Sequence, residues 1–231
     1  PPREQEAARL ICTSGEMLER LLSDILDLAK VEAGQLEIEA TPFHAGELVR
    51  NVASLCQARA DEKGLALTVE IEPAADRAFV GDGVRVRQVV INLVSNAVKF
   101  TSTGTVRLTL GLAREGQLHF AVTDTGEGFD PAQKARLFDR FQQADGSITR
   151  RFGGTGLGLA ISKHLAGMMG GVLDCDSAPG VGSVFWFEVP LPVADMAVAE
   201  RISDGFQPEV SAMRVLVTLW HKPLLFWILI L

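Results

Sequence analysis

Residues 152–162 read FGGTGLGLAIS, with glycines at 153, 154, 156 and 158 running straight into an apolar, helix-compatible segment. Glycine lets the backbone approach a ligand closely, and N–H groups at the positive end of a helix favour a polyanion. Two familiar phosphate loops are excluded by the residues themselves. No GK[ST] follows the second glycine, and there is no G-x-G-x-x-G directly after a strand. In isolation the glycines fit a phosphate cradle and a close-packed turn equally well.

Upstream, NLVSNAVKF places Asn92, Asn96 and Lys99 at i, i+4 and i+7, one polar face of a helix otherwise made of Leu93, Val94, Ala97 and Val98. A carboxamide oxygen suits a hard cation that takes its other ligands from water and phosphate, and an ammonium supplies a point charge for phosphate. Taken alone the stripe also reads as a solvated face. DTGEGF ends a strand-like run with an acid, Asp124, followed by Gly126 and Gly128. The carboxylate can accept from an exocyclic amine while the glycines admit a flat ring, and a simple Asp-Gly turn is the alternative.

The chain of 231 residues carries a formal net charge of -7 and is 47% hydrophobic, enough to bury a core and without the basic surface that nucleic acid binding needs. Cys12, Cys56 and Cys175 are too widely spaced for a metal site and fit small buried side chains in a reducing compartment. The opening PPREQEAARL resembles neither a signal peptide nor a native start, so a fragment is expected.

Residues 4–33 carry a helical apolar stripe through Ile11, Leu18, Leu21, Leu22, Ile25, Leu28 and Ala29, ended by Gly34. Beyond it the pattern predicts a strand in LEIEATPF, a helix over 45–61, a strand in LALTVEIEP, and a helix over 84–99 capped by Asp82. Strands follow over 105–112 and 117–123, then a short helix around 132–138 and about twenty polar and glycine-containing residues that suggest a lid. A helix over 155–169 and two strands about a Gly/Pro turn complete the pattern. Residues 193–211 read as a linker. The tail over 212–231 ends PLLFWILIL, far shorter than the roughly 20 apolar residues that span a bilayer.

NLVSNAVKF, DTGEGF, LFDRFQQAD, GGTGLGL and PGVGS occur in one order, and that order strongly resembles the N, G1, F, G2 and G3 boxes of the ATP-binding domain of sensor histidine kinases. LLSDILDLAKVEAG resembles the second helix of their dimerisation and phosphotransfer domain. The resemblance implies an α+β fold, a two-layer α/β sandwich of the histidine-kinase ATPase (Bergerat) type preceded by a helix of a dimeric helical bundle. It divides the chain into a bundle helix over 1–34, a catalytic domain over 35–192, a linker and the tail. It further implies ATP and Mg2+ as cofactors, with Asn96 ligating the metal, Asn92 and Lys99 assisting, and Asp124 reading the adenine amine. Phe100 would lie beside the base, Gly126 and Gly128 would shape its pocket, and Phe138 and Phe141 would anchor the lid. Gly154, Thr155, Gly156, Leu157 and Gly158 would line the phosphates, with Arg150 and Arg151 as lid cations, either on phosphate or merely solvated. The opening glycines would then cradle the polyphosphate.

Hydrolytic ATPases of the same superfamily carry a glutamate four residues before the metal-binding asparagine, where this chain has Asn92, which cannot act as a general base. That leaves hydrolysis as the weaker alternative. His44, His119, His164 and His221 lack the HELRTPL-like context of a phosphoacceptor. The expected partners are therefore an acceptor-histidine helix of the parent kinase, a response-regulator receiver domain and a second copy in a homodimer, with no nucleic acid. A cytoplasmic domain is expected, compatible with a membrane-anchored parent, and a nucleotide-binding module without autokinase activity is the alternative for this chain as it stands. MRVLV at 213–217 resembles the first strand of a receiver, but TLWHKPLLF lacks the acids that should follow, and a truncated or altered end and a hydrophobic contact segment both remain open.

Overall fold

The computed structural model describes residues 15, 18, 22, 25–27, 29–30, 33–113, 117–139 and 156–194. Five strands form the main sheet: β2 (Ala66–Ile71), β4 (Thr105–Leu112), β5 (Leu118–Asp124), β6 (Val172–Ala178) and β7 (Gly182–Val189). Their spatial order is β2-β4-β5-β7-β6, with β2 parallel to β4 and every other pair antiparallel. Helices α1 (Ala45–Glu62), α2 (Gly83–Phe100) and α4 (Gly158–Met168) cover one face. The short α3 (Pro131–Arg136) follows β5 and is held by a capping box between Asp130 and Gln133.

Alternation explains the layering. Along β4 and β5, Val106, Leu108, Leu110, Leu118, Phe120 and Val122 are all fully buried, while the residues between them face outward. Phe120 stacks on Phe187 of β7 at 5.6 Å between ring centroids. The helices answer with Val49, Val52, Val86, Val90, Leu93, Val94 and Leu165, giving one core beneath the site.

Several expectations shift. The first strand is shorter than LEIEATPF suggests: β1 is Thr41–His44, and it pairs antiparallel with β3 (Ala78–Gly81), which the sequence reading leaves out. Residues 35–40 make no ladder, although Leu36 is buried in the core. Four-residue strands give too little alternation to detect; pairing with each other defines them. The glycine-loop helix begins at Gly158 rather than at 155. Val193 and Ala194, expected in the linker, remain tied to β3 through Ala194 N–H to Ala78 O at 3.0 Å and a bridge between Phe79 and Val193. Cys56 and Cys175 are buried and form no disulfide, as expected of small buried side chains; Cys12 lies outside the described residues.

At the N-terminal helical residues, Leu18, Leu22, Ile25 and Leu26 are exposed, whereas Asp27 is buried against α2. Its carboxylate meets Arg85 Nη1 at 3.2 Å and accepts from Gln88 Nε2 at 2.7 Å. Gly34, at φ 63, ends the segment. Leu21, Ile11 and Leu28 of the stripe lie outside the described side chains. Among the described residues no helix is long and apolar enough to cross a membrane.

Candidate nucleotide site

Helix α2 starts where Asp82 caps it, its side chain accepting from Arg85 N at 3.0 Å. The helix buries Val86, Val89, Val90, Leu93, Val94, Ala97 and Val98, which turns Asn92, Asn96 and Lys99 to the half-buried opposite side. Asn92 Nδ2 donates to Ser162 Oγ on α4 at 2.9 Å, and Asn96 Nδ2 reaches Asn92 Oδ1 at 3.4 Å. The amide oxygen of Asn96 is the acceptor this chain of bonds leaves unused. Burial lowers the Lys99 pKa below the ordinary 10.5, with the positive Arg59 adding to the effect. Lys99 Nζ sits 4.7 Å from the ring centroid of Phe100, a residue 36% exposed.

The C-terminal end of α2 is clasped by a residue the sequence reading did not single out. Lys63, which follows α1, donates Nζ to the carbonyls of Val98, Lys99 and Thr101 at 2.7, 2.8 and 3.0 Å. Its partners lie 35 to 38 residues away, so local pattern carries no signal for it.

Asp124 closes β5 and is 6% exposed. Burial raises its pKa above 3.8, opposed in turn by hydrogen bonds from the Gly126 and Ser183 backbone and from the Thr101 side chain. The Gly126 N–H contact is 2.8 Å, and a Cβ on Gly126 would stand 2.7 Å from both Asp124 Oδ1 and the Phe100 carbonyl, so only glycine fits beside the acid. Gly182, at φ 126, is required behind it, because a Cβ there would run into the Asp124 carbonyl. The sequence places PGVGS in the motif order without giving Gly182 this task. Gly128 turns at φ 63, and Phe129 N–H then bonds Ser177 Oγ at 2.9 Å.

On the phosphate side, Gly156 adopts φ 69 and Leu157 is a buried core residue at the start of α4, providing no side-chain cap. Gly158 meets α2 directly: a Cβ on it would lie 2.5 Å from Asn92 Oδ1. Phe138 is half-buried against the core, with Lys163 Nζ 4.4 Å from its ring centroid. Phe141, Arg150, Arg151, Gly154 and Thr155 lie outside the described residues, as does most of the expected lid. The remaining expected residues come from α2, the β5–α3 turn and the start of α4. Of the histidines, His44 caps α1 and His119 pairs with Glu188 at 3.0 Å. His164 is on α4, and His221 lies outside the described residues.

No cluster of three or more His, Cys, Asp or Glu side chains fit for a metal occurs among the described residues. One neutral amide oxygen, with phosphates and water completing the shell, is nevertheless a donor set that fits Mg2+.

Residues 81–193 match the family model described as histidine kinase-, DNA gyrase B-, and HSP90-like ATPase. Sensor protein GacS of Pseudomonas syringae pv. syringae is 40% identical over 197 residues, covering 84% of this chain and 22% of that protein. The circadian input-output histidine kinase CikA of Synechococcus elongatus is 43% identical over 192 residues, covering 81% of this chain and 25% of CikA. This chain thus spans about a quarter or less of the length of these relatives. Among solved structures, full-length ShkA in complex with AMPPNP aligns at a TM-score of 0.71 and 38% identity, over 78% of this chain and 37% of ShkA. The nucleotide-free catalytic domain of histidine kinase ThkA aligns at 0.57 and 28% identity, over 66% of this chain and 95% of that domain.

Proposed function

We propose, since this chain carries a catalytic ATP-binding domain of the histidine kinase-, DNA gyrase B- and HSP90-like ATPase family in its sensor histidine kinase form, that it transfers the γ-phosphoryl of MgATP to a histidine that is none of its own four. The observation that carries this reading is a buried carboxylate without a counter-ion. Asp124 is held by backbone N–H groups, and no cation pairs with it among the described residues. A buried anion of that kind gains from a neutral donor such as the exocyclic amine of adenine.

In this reading Phe100, Gly126 and Gly128 flank the base, while the half-buried ammonium of Lys99, paired with no carboxylate among the described residues, meets phosphate. Asn96 offers its amide oxygen to Mg2+, which when bound neutralises phosphate charge and orients the terminal group. Asn92, Gly156, Gly158 and the N–H groups of the first turn of α4 line the same cleft. Gly154, Thr155, Arg150, Arg151 and Phe141, with Phe138, belong to the proposed lid. Transfer breaks the bond between the γ-phosphorus and its bridging oxygen and forms a phosphorus–nitrogen bond to the incoming imidazole, so the chain's task is positioning and charge neutralisation. Asn92 is committed to Ser162 and Asn96 and cannot activate water as a carboxylate would.

The exposed Leu18, Leu22, Ile25 and Leu26 suit the core of a helical bundle shared with a second copy and with the acceptor helix. A receiver aspartate would take the phosphoryl next. The deciding experiment incubates the chain with labelled ATP and Mg2+, with and without a polypeptide from the parent kinase bearing its acceptor histidine. Acid-labile, base-stable label on that polypeptide alone is expected. Stoichiometric label on any of the four histidines here, or release of free phosphate without label, would refute the assignment.

A further inference from the structure

We propose that Ser177 is a positioning residue for the carboxylate of Asp124: its hydroxyl fixes the peptide between Gly182 and Ser183, so that the Ser183 N–H is aimed at that carboxylate. The inference rests on the reading of Asp124 as the group that meets the adenine amine. Ser177 itself touches no nucleotide in this scheme.

The direction of the hydroxyl is set by partners of single polarity. Phe129 N–H donates to Ser177 Oγ at 2.9 Å across 48 residues of sequence, and Ser177 Oγ stands 2.8 Å from the carbonyl oxygen of Gly182. A backbone N–H can only donate and a carbonyl oxygen can only accept, so the one hydrogen of the serine goes to Gly182. Ser183 Oγ, 3.2 Å away, then meets the remaining lone pair of Ser177 Oγ as a donor. The Gly182 carbonyl and the Ser183 N–H belong to one peptide plane, so holding its oxygen also directs its hydrogen. That N–H is one of the two backbone donors on the Asp124 carboxylate. Donation into the carbonyl also polarises the peptide and strengthens the bond its nitrogen makes.

Close packing transmits the constraint. A Cβ on Gly182 would run into the Asp124 carbonyl, and one on Gly128 would run into the Ala178 carbonyl, so the β6–β7 turn and the loop after Asp124 meet backbone to backbone. Gly180 N–H donates to the Glu127 carbonyl at 2.7 Å across the same seam. Ser177 adds the side-chain link, joining Phe129 at the far end of the loop to the peptide that holds the acid.

The test compares calorimetric affinities for ATP and inosine triphosphate, both with Mg2+, in the unaltered chain, Ser177→Ala, Ser177→Cys, Ser177→Thr, Asp124→Asn and the double variant Ser177→Ala/Asp124→Asn. Alanine removes one atom from a half-buried position on an edge strand and adds no bulk, so the variant folds. Its ATP affinity is expected to fall about three- to tenfold, the usual worth of one hydrogen bond, and the ratio of ATP to inosine triphosphate affinity should fall with it. Cysteine, a weak donor, should show the same selective loss, while threonine keeps the hydroxyl and should restore ATP binding. In the Asp124→Asn background, Ser177→Ala should cost ATP little more. Unchanged ATP affinity in Ser177→Ala or Ser177→Cys overturns the role of Ser177. So do equal losses for the two nucleotides, or a full further loss in the double variant, because Ser177 would then only brace the hairpin. Unchanged ATP affinity in Asp124→Asn removes the base reading itself, and the proposal with it.

Discussion

Replacing Asp124 with asparagine exchanges one oxygen for NH2 in a site that is 6% exposed, with no change of volume. The remaining oxygen can still accept from Gly126 N–H, at 2.8 Å in the native site, so the turn keeps its anchor. The nitrogen faces the adenine amine as donor against donor. A hydrogen bond to a charged group contributes about 1.5–3 kcal/mol, so ATP affinity should fall about ten- to hundredfold. Inosine triphosphate, which carries a carbonyl where adenine has its amine, should bind the native site poorly and gain relative to ATP in Asp124→Asn. Calorimetry with both nucleotides measures the ratio directly. The pH dependence carries a second signature. Because burial lifts the Asp124 pKa above 3.8, the protonated form is favoured by the fold, and the stability linked to this group declines as pH rises through the raised value. Binding needs the carboxylate, so ATP affinity should fall as pH drops through that value, starting at higher pH than an ordinary aspartate titrates, and Asp124→Asn should flatten the profile. An unchanged ATP affinity in a folded variant, or an unchanged ratio of ATP to inosine triphosphate, would refute the placement of Asp124 against the base.

Lys63→Met strips a charged donor from three carbonyls at the end of α2 and should cost about 1.5–3 kcal/mol, read from the urea midpoint. Gly158→Ala should weaken ATP binding while leaving α4 helical by circular dichroism, since the new Cβ would stand 2.5 Å from Asn92 Oδ1. Burial pushes the Cys175 thiol up to about 11, so at pH 8 it should resist iodoacetamide until urea unfolds the chain. With 9.0 as its ordinary value, the stability linked to that thiol is complete below pH 9 and lost as pH rises toward 11, which melting curves of the native chain and Cys175→Ala would compare.

The sequence by itself carried the elements with long, regular patterns. The alternation of β4 and β5, the Asp82 cap and apolar face of α2, and the two strands around PGVG can be read locally, because each element's period is a property of consecutive residues. The ordered motifs added the family and, through it, the candidate residues. Tertiary structure alone decided what those residues touch. The four-residue strands β1 and β3 exist because each satisfies the other's backbone. Lys63 reaches α2 from the end of α1, Ser162 reaches Asn92 from α4, and Gly182 backs Asp124 from the next hairpin. Each of these contacts joins segments far apart in sequence, where a hydrogen bond or a close approach depends on how the helices seat on the sheet. Local periodicity fixes which side of an element faces the core, but the meeting of two such sides is a consequence of packing.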